Sequence, residues 1–70
     1  MSQNQKTVRN AYNMIIGTLS EYPDRIIATH YRKGYAGYYN KGSDTTFDRN
    51  GRIYCRGDGT SDLIRQIERG

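Results

Sequence analysis

The sequence predicts an α+β fold: a helix, a four-stranded antiparallel meander and a second helix, with both helices on one face of the sheet. Three observations predict it. Val8, Tyr12, Ile15, Leu19 and Tyr22 recur at steps of four and three, the spacing of an amphipathic helix. Residues 25–56 are rich in β-branched and aromatic residues and are punctuated by two loops of one design, Arg32-Lys33-Gly34 and Arg49-Asn50-Gly51. Leu63, Ile64 and Ile67 then return to helical spacing. The 70 residues form one domain, 1–70. A chain of this size buries only ~60% of the surface its unfolded form exposes, which supports one helical layer on one sheet.

A polar tail at 1–5 leads into helix 1 at about 4–21, with Ala11 and Ile16 flanking the stripe. Gly17 weakens that helix by ~1 kcal/mol relative to Ala, and lets a strand approach closely. Pro23 ends it, because the residue before a proline disfavours the helical region. Strands follow at Arg25 to Tyr31, Tyr35 to Tyr39, Asp44 to Asp48 and Arg52 to Arg56, with a turn at Asn40-Lys41-Gly42-Ser43. Gly57-Asp58-Gly59 breaks the pattern. Thr60 or Ser61 caps helix 2, and Asp62 in its first turn faces the positive end of the helix dipole.

Register follows from parity. A two-residue turn at Asn50-Gly51 would put Asp48 on the side of Ile53 and Cys55, burying a carboxylate. A three-residue loop with Gly51 in the left-handed region pairs Phe47 with Ile53 and Thr45 with Cys55 on one face, and Asp48 with Arg52, Thr46 with Tyr54 and Asp44 with Arg56 on the other. The Asn40–Ser43 turn places Tyr38 opposite Thr45 and Ala36 opposite Phe47. A matching loop in the first hairpin pairs His30 with Ala36 and Ala28 with Tyr38, turning His30 toward the helices, whereas a two-residue register exposes His30 across from Gly37. The expected core is Ile26, Ala28, Ala36, Tyr38, Phe47, Ile53 and Cys55 beneath the helices. The open face carries Ile27, Thr29, Tyr31, Tyr35, Gly37, Tyr39, Thr46 and Tyr54.

The net charge of +4 is unevenly placed: residues 25–56 carry seven Lys and Arg against Asp44 and Asp48 alone. The excess therefore sits in the strands and their loops. Cys55, the single cysteine, excludes an internal disulfide, and no Cys/His cluster spells a zinc site, so no cofactor and no metal are expected. No apolar run reaches the ~18 residues of a spanning helix, and the N-terminus lacks a signal-peptide core, which leads to the expectation of a cytoplasmic protein that does not contact membranes, monomeric or homodimeric.

The candidate site is the open face, with Tyr31, Tyr35, Tyr39 and Tyr54 edged by Arg32, Lys33, Arg49, Arg52 and Arg56. Tyrosine and arginine are enriched at binding hot spots, and on a nucleic acid the rings would stack on unpaired bases while the rim meets phosphates. The plain alternative is that tyrosine is a good strand residue. Cys55 reads as a packed thiol with no base beside it. Arg56-Gly57-Asp58 spells the integrin tripeptide, which turn chemistry explains better. Gly57-Asp58-Gly59 lacks the ending of a phosphate loop. Asp58 and Asp62 read as dipole partners of the helix rather than metal ligands.

A small basic chain with one histidine, His30, in the order helix, strands, helix resembles in outline the HicA family of ribonuclease toxins, whose fold is similar to a double-stranded RNA binding domain. The resemblance covers the order of elements. It implies a catalytic role for His30, although that family's histidine follows a glycine, and here the context is Ala28-Thr29-His30-Tyr31. A double-stranded RNA binding domain carries lysines where its last helix begins, whereas Gly57 to Asp62 is acidic here. In size and lack of a catalytic signature the chain is similar to small inhibitors carried by phages and mobile elements, including anti-CRISPR proteins. The expectation is a non-enzymatic protein whose Tyr/Arg sheet face docks on a macromolecular partner, a nucleic-acid-handling complex as in the anti-CRISPR type, and blocks or modulates it. Direct binding of RNA or single-stranded DNA, and a His30 ribonuclease, are the alternatives.

Overall fold

A computed structural model describes residues 4–69. It replaces the expected helix–four strands–helix order with a single six-stranded antiparallel sheet and one C-terminal helix among these residues. The strands are β1 (Asn4–Arg9), β2 (Ile15–Glu21), β3 (Arg25–His30), β4 (Gly34–Asn40), β5 (Thr45–Asp48) and β6 (Ile53–Arg56), followed by α1 (Thr60–Arg69). They pair in sequence order, a plain meander. Of the tail expected at 1–5, residues 4 and 5 belong to β1, and residues 1–3 lie outside the described residues, as does Gly70. Among the described residues no helix is long and apolar enough to cross a membrane.

The expected first helix is two strands. Residues 10–14 turn the chain, with Asn13 in the left-handed region at φ 64°. Asn10 organises this turn: its Oδ1 accepts the amides of Tyr12 (2.8 Å) and Met14 (3.0 Å). Asparagine tolerates that conformation and favours such turns, and Thr7, Val8, Ile15, Ile16 and Thr18 are strand formers. Gly17, costly in a helix, is required by this sheet: a Cβ there would lie 2.5 Å from the Thr29 carbonyl oxygen and 2.8 Å from Ile64 Cγ2.

Three further turns use the same device. Asn40 Oδ1 accepts from Gly42 and Ser43, and Asp48 Oδ1 from Asn50 and Arg52. At the end of β3 the acceptor is a histidine: His30 Nδ1 accepts from Arg32 and Lys33, both at 3.1 Å. Gly34 and Gly51 close their turns in the left-handed region at φ 80° and 84°.

Helix α1 covers one face of the sheet. Leu63 and Ile64 pack with Val8, Ile16, Ala28 and Ala36, and Leu19, Tyr54 and Ile67 border that core. Thr60 is fully buried inside the first turn rather than capping it. Asp58 supplies the cap, accepting the Thr60 amide at 3.1 Å and hydroxyl at 2.6 Å. Thr46 ties β5 to the helix approach, donating to the Gly57 carbonyl at 2.6 Å and accepting from Gly59 at 2.8 Å.

Bulges in β3–β4 and β5–β6 decide which side chains of these four strands face α1. In β3–β4 the register runs His30 to Gly34 and Thr29 to Tyr35, then shifts so that Ala28 meets Gly37 instead of Tyr38. Ala36 is the extra residue. A one-residue shift exchanges the faces of every later side chain. Thus Tyr38, Phe47 and Ile53, expected in the core, lie on the face away from the helix, while Gly37, Tyr39 and Thr46 lie on the helix side. The second bulge, at Tyr54, keeps Phe47 opposite Ile53 but pairs Thr46 with Cys55 and Thr45 with Arg56.

Candidate binding face

Among the described residues, the face away from α1 has no second layer. Across it runs a row of register partners, Ile27, Tyr38, Phe47 and Ile53, one from each of β3 to β6. Tyr38 and Phe47 stack with ring centroids 5.1 Å apart and planes 18° from parallel. Tyr35, opposite Thr29, extends the row toward the turns. Ile53 is 67% exposed and Tyr35 47%, large values for apolar and aromatic strand residues. Partial burial among neighbours pushes the Tyr35 phenol above its ordinary value near 10, with the nearby Tyr38 adding to the shift.

The structure divides the four expected tyrosines. Tyr35 alone lies on the open strand face. Tyr31 sits in the β3–β4 turn, 54% exposed, its ring tilted against His30 and the Arg32 guanidinium 5.2 Å from its centre. Tyr39 and Tyr54 are on the helix side. Their hydroxyls donate to Asp44 and Asp62, each at 2.6 Å. For Tyr39 that bond leads the upward shift of its phenol, and for Tyr54 burial leads with the bond second. The residues that sequence reasoning missed are Tyr38, Phe47 and Ile53, because only the Ala36 bulge brings them to this face.

The cations are better placed than the cross-strand pairing implied. Arg52 does not pair with the Asp48 side chain, which is committed to backbone amides, nor Arg56 with Asp44, which holds Tyr39. Lys33, Arg49, Arg52 and Arg56 are all exposed, and none is within ion-pair distance of a described carboxylate. In a meander, β1, β3 and β5 run toward the same end, so the turns after each of them lie together. The last turns of α1 reach that end too, as shown by Glu68 against His30 and Arg65 against the Arg9 carbonyl. This end therefore gathers Arg9, Arg32, Lys33, Arg49, Arg52, Arg65 and Arg69, with only Asp48 and Glu68 of opposite sign among the described residues. The other end holds Glu21, Asp24, Asp44, Asp58 and Asp62 against Lys6, Arg25, Lys41 and Arg56. The chain is a charge dipole, strongly basic at one end.

His30 is 1% exposed. Its Nδ1 accepts two turn amides, so the ring proton is on Nε2, which donates to Glu68 Oε1 at 2.9 Å. Both ring nitrogens are committed to hydrogen bonds within the fold. Cys55 is a half-buried free thiol beside Gly59. Arg56-Gly57-Asp58 forms the turn into α1, with Gly57 at φ 82° and its amide on the Asp44 carbonyl at 2.7 Å. Among the described residues, no three His, Cys, Asp or Glu side chains gather where they could hold a metal ion. No protein-family model, no curated protein and no solved structure matches this chain.

Proposed function

We propose that this protein is a non-enzymatic binding domain that docks its uncovered sheet face on a protein partner and acts by occupying that partner's surface. The observation that carries the reading is the continuous row Ile27–Tyr38–Phe47–Ile53, left without a covering layer by a ten-residue helix that packs only on the opposite face. An apolar centre with aromatic anchors and a cationic rim is the anatomy of a specific protein interface. The dimensions suffice: the molecule is 33 × 30 Å across its two longer axes, and a stable interface takes ~800 Å² per partner. The basic end selects a partner with an acidic patch beside its apolar one.

Nucleic acid is the second reading, favoured by the unpaired cations Lys33, Arg49, Arg52 and Arg56. The row itself favours protein. Tyr38 and Phe47 spend part of their ring faces on each other, and Ile27 and Ile53 offer no π face to a base. A reducing cytoplasm belongs to the proposal, since it keeps Cys55 reduced. The test is capture from host lysate with and without nuclease, followed by a salt series on whatever is recovered. A protein retained after nuclease treatment, with mild salt dependence, supports the reading. Nucleic acid alone, lost steeply with salt, moves the assignment to direct nucleic-acid binding.

A further inference from the structure

A cleft of about 500 Å³ opens at the basic end, between the 10–14 turn and the last turns of α1, on the side of the sheet opposite the row described above. Its lining includes Arg9, Arg65 and Arg69, the buried Ile16, and Tyr12 with 84% of its surface exposed. The turn that presents Tyr12 is fixed by four hydrogen bonds of Asn10: it accepts from the Tyr12, Asn13 and Met14 amides and donates its own amide to the Met14 carbonyl. Arg9 is fixed as well, donating to the Asn13 carbonyl at 2.9 Å, and Arg65 donates to the Arg9 carbonyl at 3.4 Å. None of these three arginines pairs with a described carboxylate. Glu68, also in the wall, turns its Oε1 to His30 at 2.9 Å and to Arg32 at 3.6 Å, so its charge is already shared.

The end of a helix accounts for only part of this. Its carbonyls carry about half an elementary negative charge, against three guanidinium groups. Like charges held around a cleft of ligand size are stabilised by an anion that enters it, and guanidinium forks match phosphate oxygens two at a time. An exposed tyrosine on a rigid turn adds a flat surface for a ring. We infer that the cleft between the 10–14 turn and the end of α1 binds a phosphorylated nucleoside, its phosphate held by Arg9, Arg65 and Arg69 and its base against Tyr12. The ligand is either a free nucleotide or the phosphorylated terminus of a single strand, which share this chemistry. The site is separate from the sheet row and stands or falls without it.

The test is an NMR titration of the whole chain with adenosine 5′-monophosphate, inorganic phosphate, and one short oligonucleotide with a 5′-phosphate or a 5′-hydroxyl. Adenosine 5′-monophosphate is expected to move the Arg9, Arg65 and Arg69 side-chain signals and the Tyr12 ring. Arg65→Gln and Arg69→Gln, both exposed positions, should each weaken it about tenfold, the scale of one charge-assisted hydrogen bond. Tyr12→Ala should weaken the nucleotide and leave inorganic phosphate unchanged. A preference for the 5′-phosphate strand over the nucleotide would assign a strand terminus, and equal binding a free nucleotide. Absence of movement at the cleft with the nucleotide overturns the inference. So does a nucleotide affinity equal to that of inorganic phosphate and indifferent to Tyr12→Ala, which marks an adventitious anion only.

Discussion

Replacing His30 tests whether this residue is a structural turn acceptor, and the structure sets the scale. The ring is 1% exposed and makes three hydrogen bonds: two accepted from the Arg32 and Lys33 amides at 3.1 Å and one donated to Glu68 at 2.9 Å. His30→Ala orphans both amides and removes the Glu68 contact. Orphaned donors cost roughly 1–3 kcal/mol each when buried. Because residues 32 and 33 are exposed and water relieves part of that cost, the expected loss is about 2–4 kcal/mol in total. For a domain this small that lowers the melting temperature by at least about 8 °C. His30→Asn should cost about 1–2 kcal/mol less than His30→Ala, because an asparagine Oδ1 accepts the same two amides, as Asn40 does in the next turn. Urea unfolding of the three proteins, followed by circular dichroism, measures both differences. Equal losses for Ala and Asn, or an Ala loss below about 1 kcal/mol, would refute the turn-acceptor account.

The remaining predictions concern close approach and pH. Gly37→Ala should be more damaging than Gly34→Ala. At Gly37 a Cβ would overlap the Phe47 carbonyl and lie 2.6 Å from Leu63 Cδ2, whereas at Gly34 nothing lies within 4 Å and only the left-handed backbone costs about 1–2 kcal/mol. Comparable denaturation midpoints for the two variants would contradict the packing. On the alkaline side, Tyr35, Tyr39 and Tyr54 have phenols raised above 10 in the folded state. Folding then favours the protonated phenol, so this stability is intact below pH 10 and is lost as pH rises through the folded values. Tyrosinate absorbance should show these three rings ionising above pH 10, and Tyr54→Phe should reduce the alkaline loss. On the acid side, Lys41 at 3.0 Å holds the Glu21 carboxyl below its usual 4.5. That contribution is present above pH 4.5 and disappears as pH falls through the lowered value, so Lys41→Met should flatten the acid limb of the stability curve.

The C-terminal helix, the single sheet and the glycine-closed turns were legible because each rests on local chemistry. Asp62 and the Leu63, Ile64, Ile67 face mark α1, and Gly34 and Gly51 take the left-handed turn positions that their loops require. The first helix was misread because Val8, Tyr12, Ile15 and Leu19 fit a helical period, while the stronger signals were Asn10, Asn13 and Gly17 amid β-branched residues. Intrinsic preference yields to pairing in such a segment, and β1 forms only because β2 is there to receive it. His30 does turn toward the helix, but not through the expected register: it pairs with Gly34 rather than Ala36, and the loop is Tyr31-Arg32-Lys33. The composition of the open face was not legible. It depends on one inserted residue, Ala36, and a small residue carries no sequence sign that it will bulge rather than pair. Parity therefore puts Tyr38 and Phe47 on one face, but the wrong one and with the wrong partners: the expected pairs are Tyr38–Thr45 and Ala36–Phe47, whereas the sheet pairs Tyr38 with Phe47 and Asn40 with Thr45.

The most direct test of the proposed binding face is a matched capture experiment with three forms of the protein: wild type, Phe47→Thr on the open row, and Tyr39→Phe on the helix side. All three are first shown to fold and to have the same oligomeric state. A nuclease-resistant protein partner that binds wild type and Tyr39→Phe, and whose affinity falls about tenfold or more with Phe47→Thr, is the predicted result, since a buried aromatic anchor is worth upward of ~1–2 kcal/mol. Undiminished capture by Phe47→Thr would contradict the account. So would a wild-type homodimer that dissociates in this variant, because the row would then be covered by a second copy of the chain.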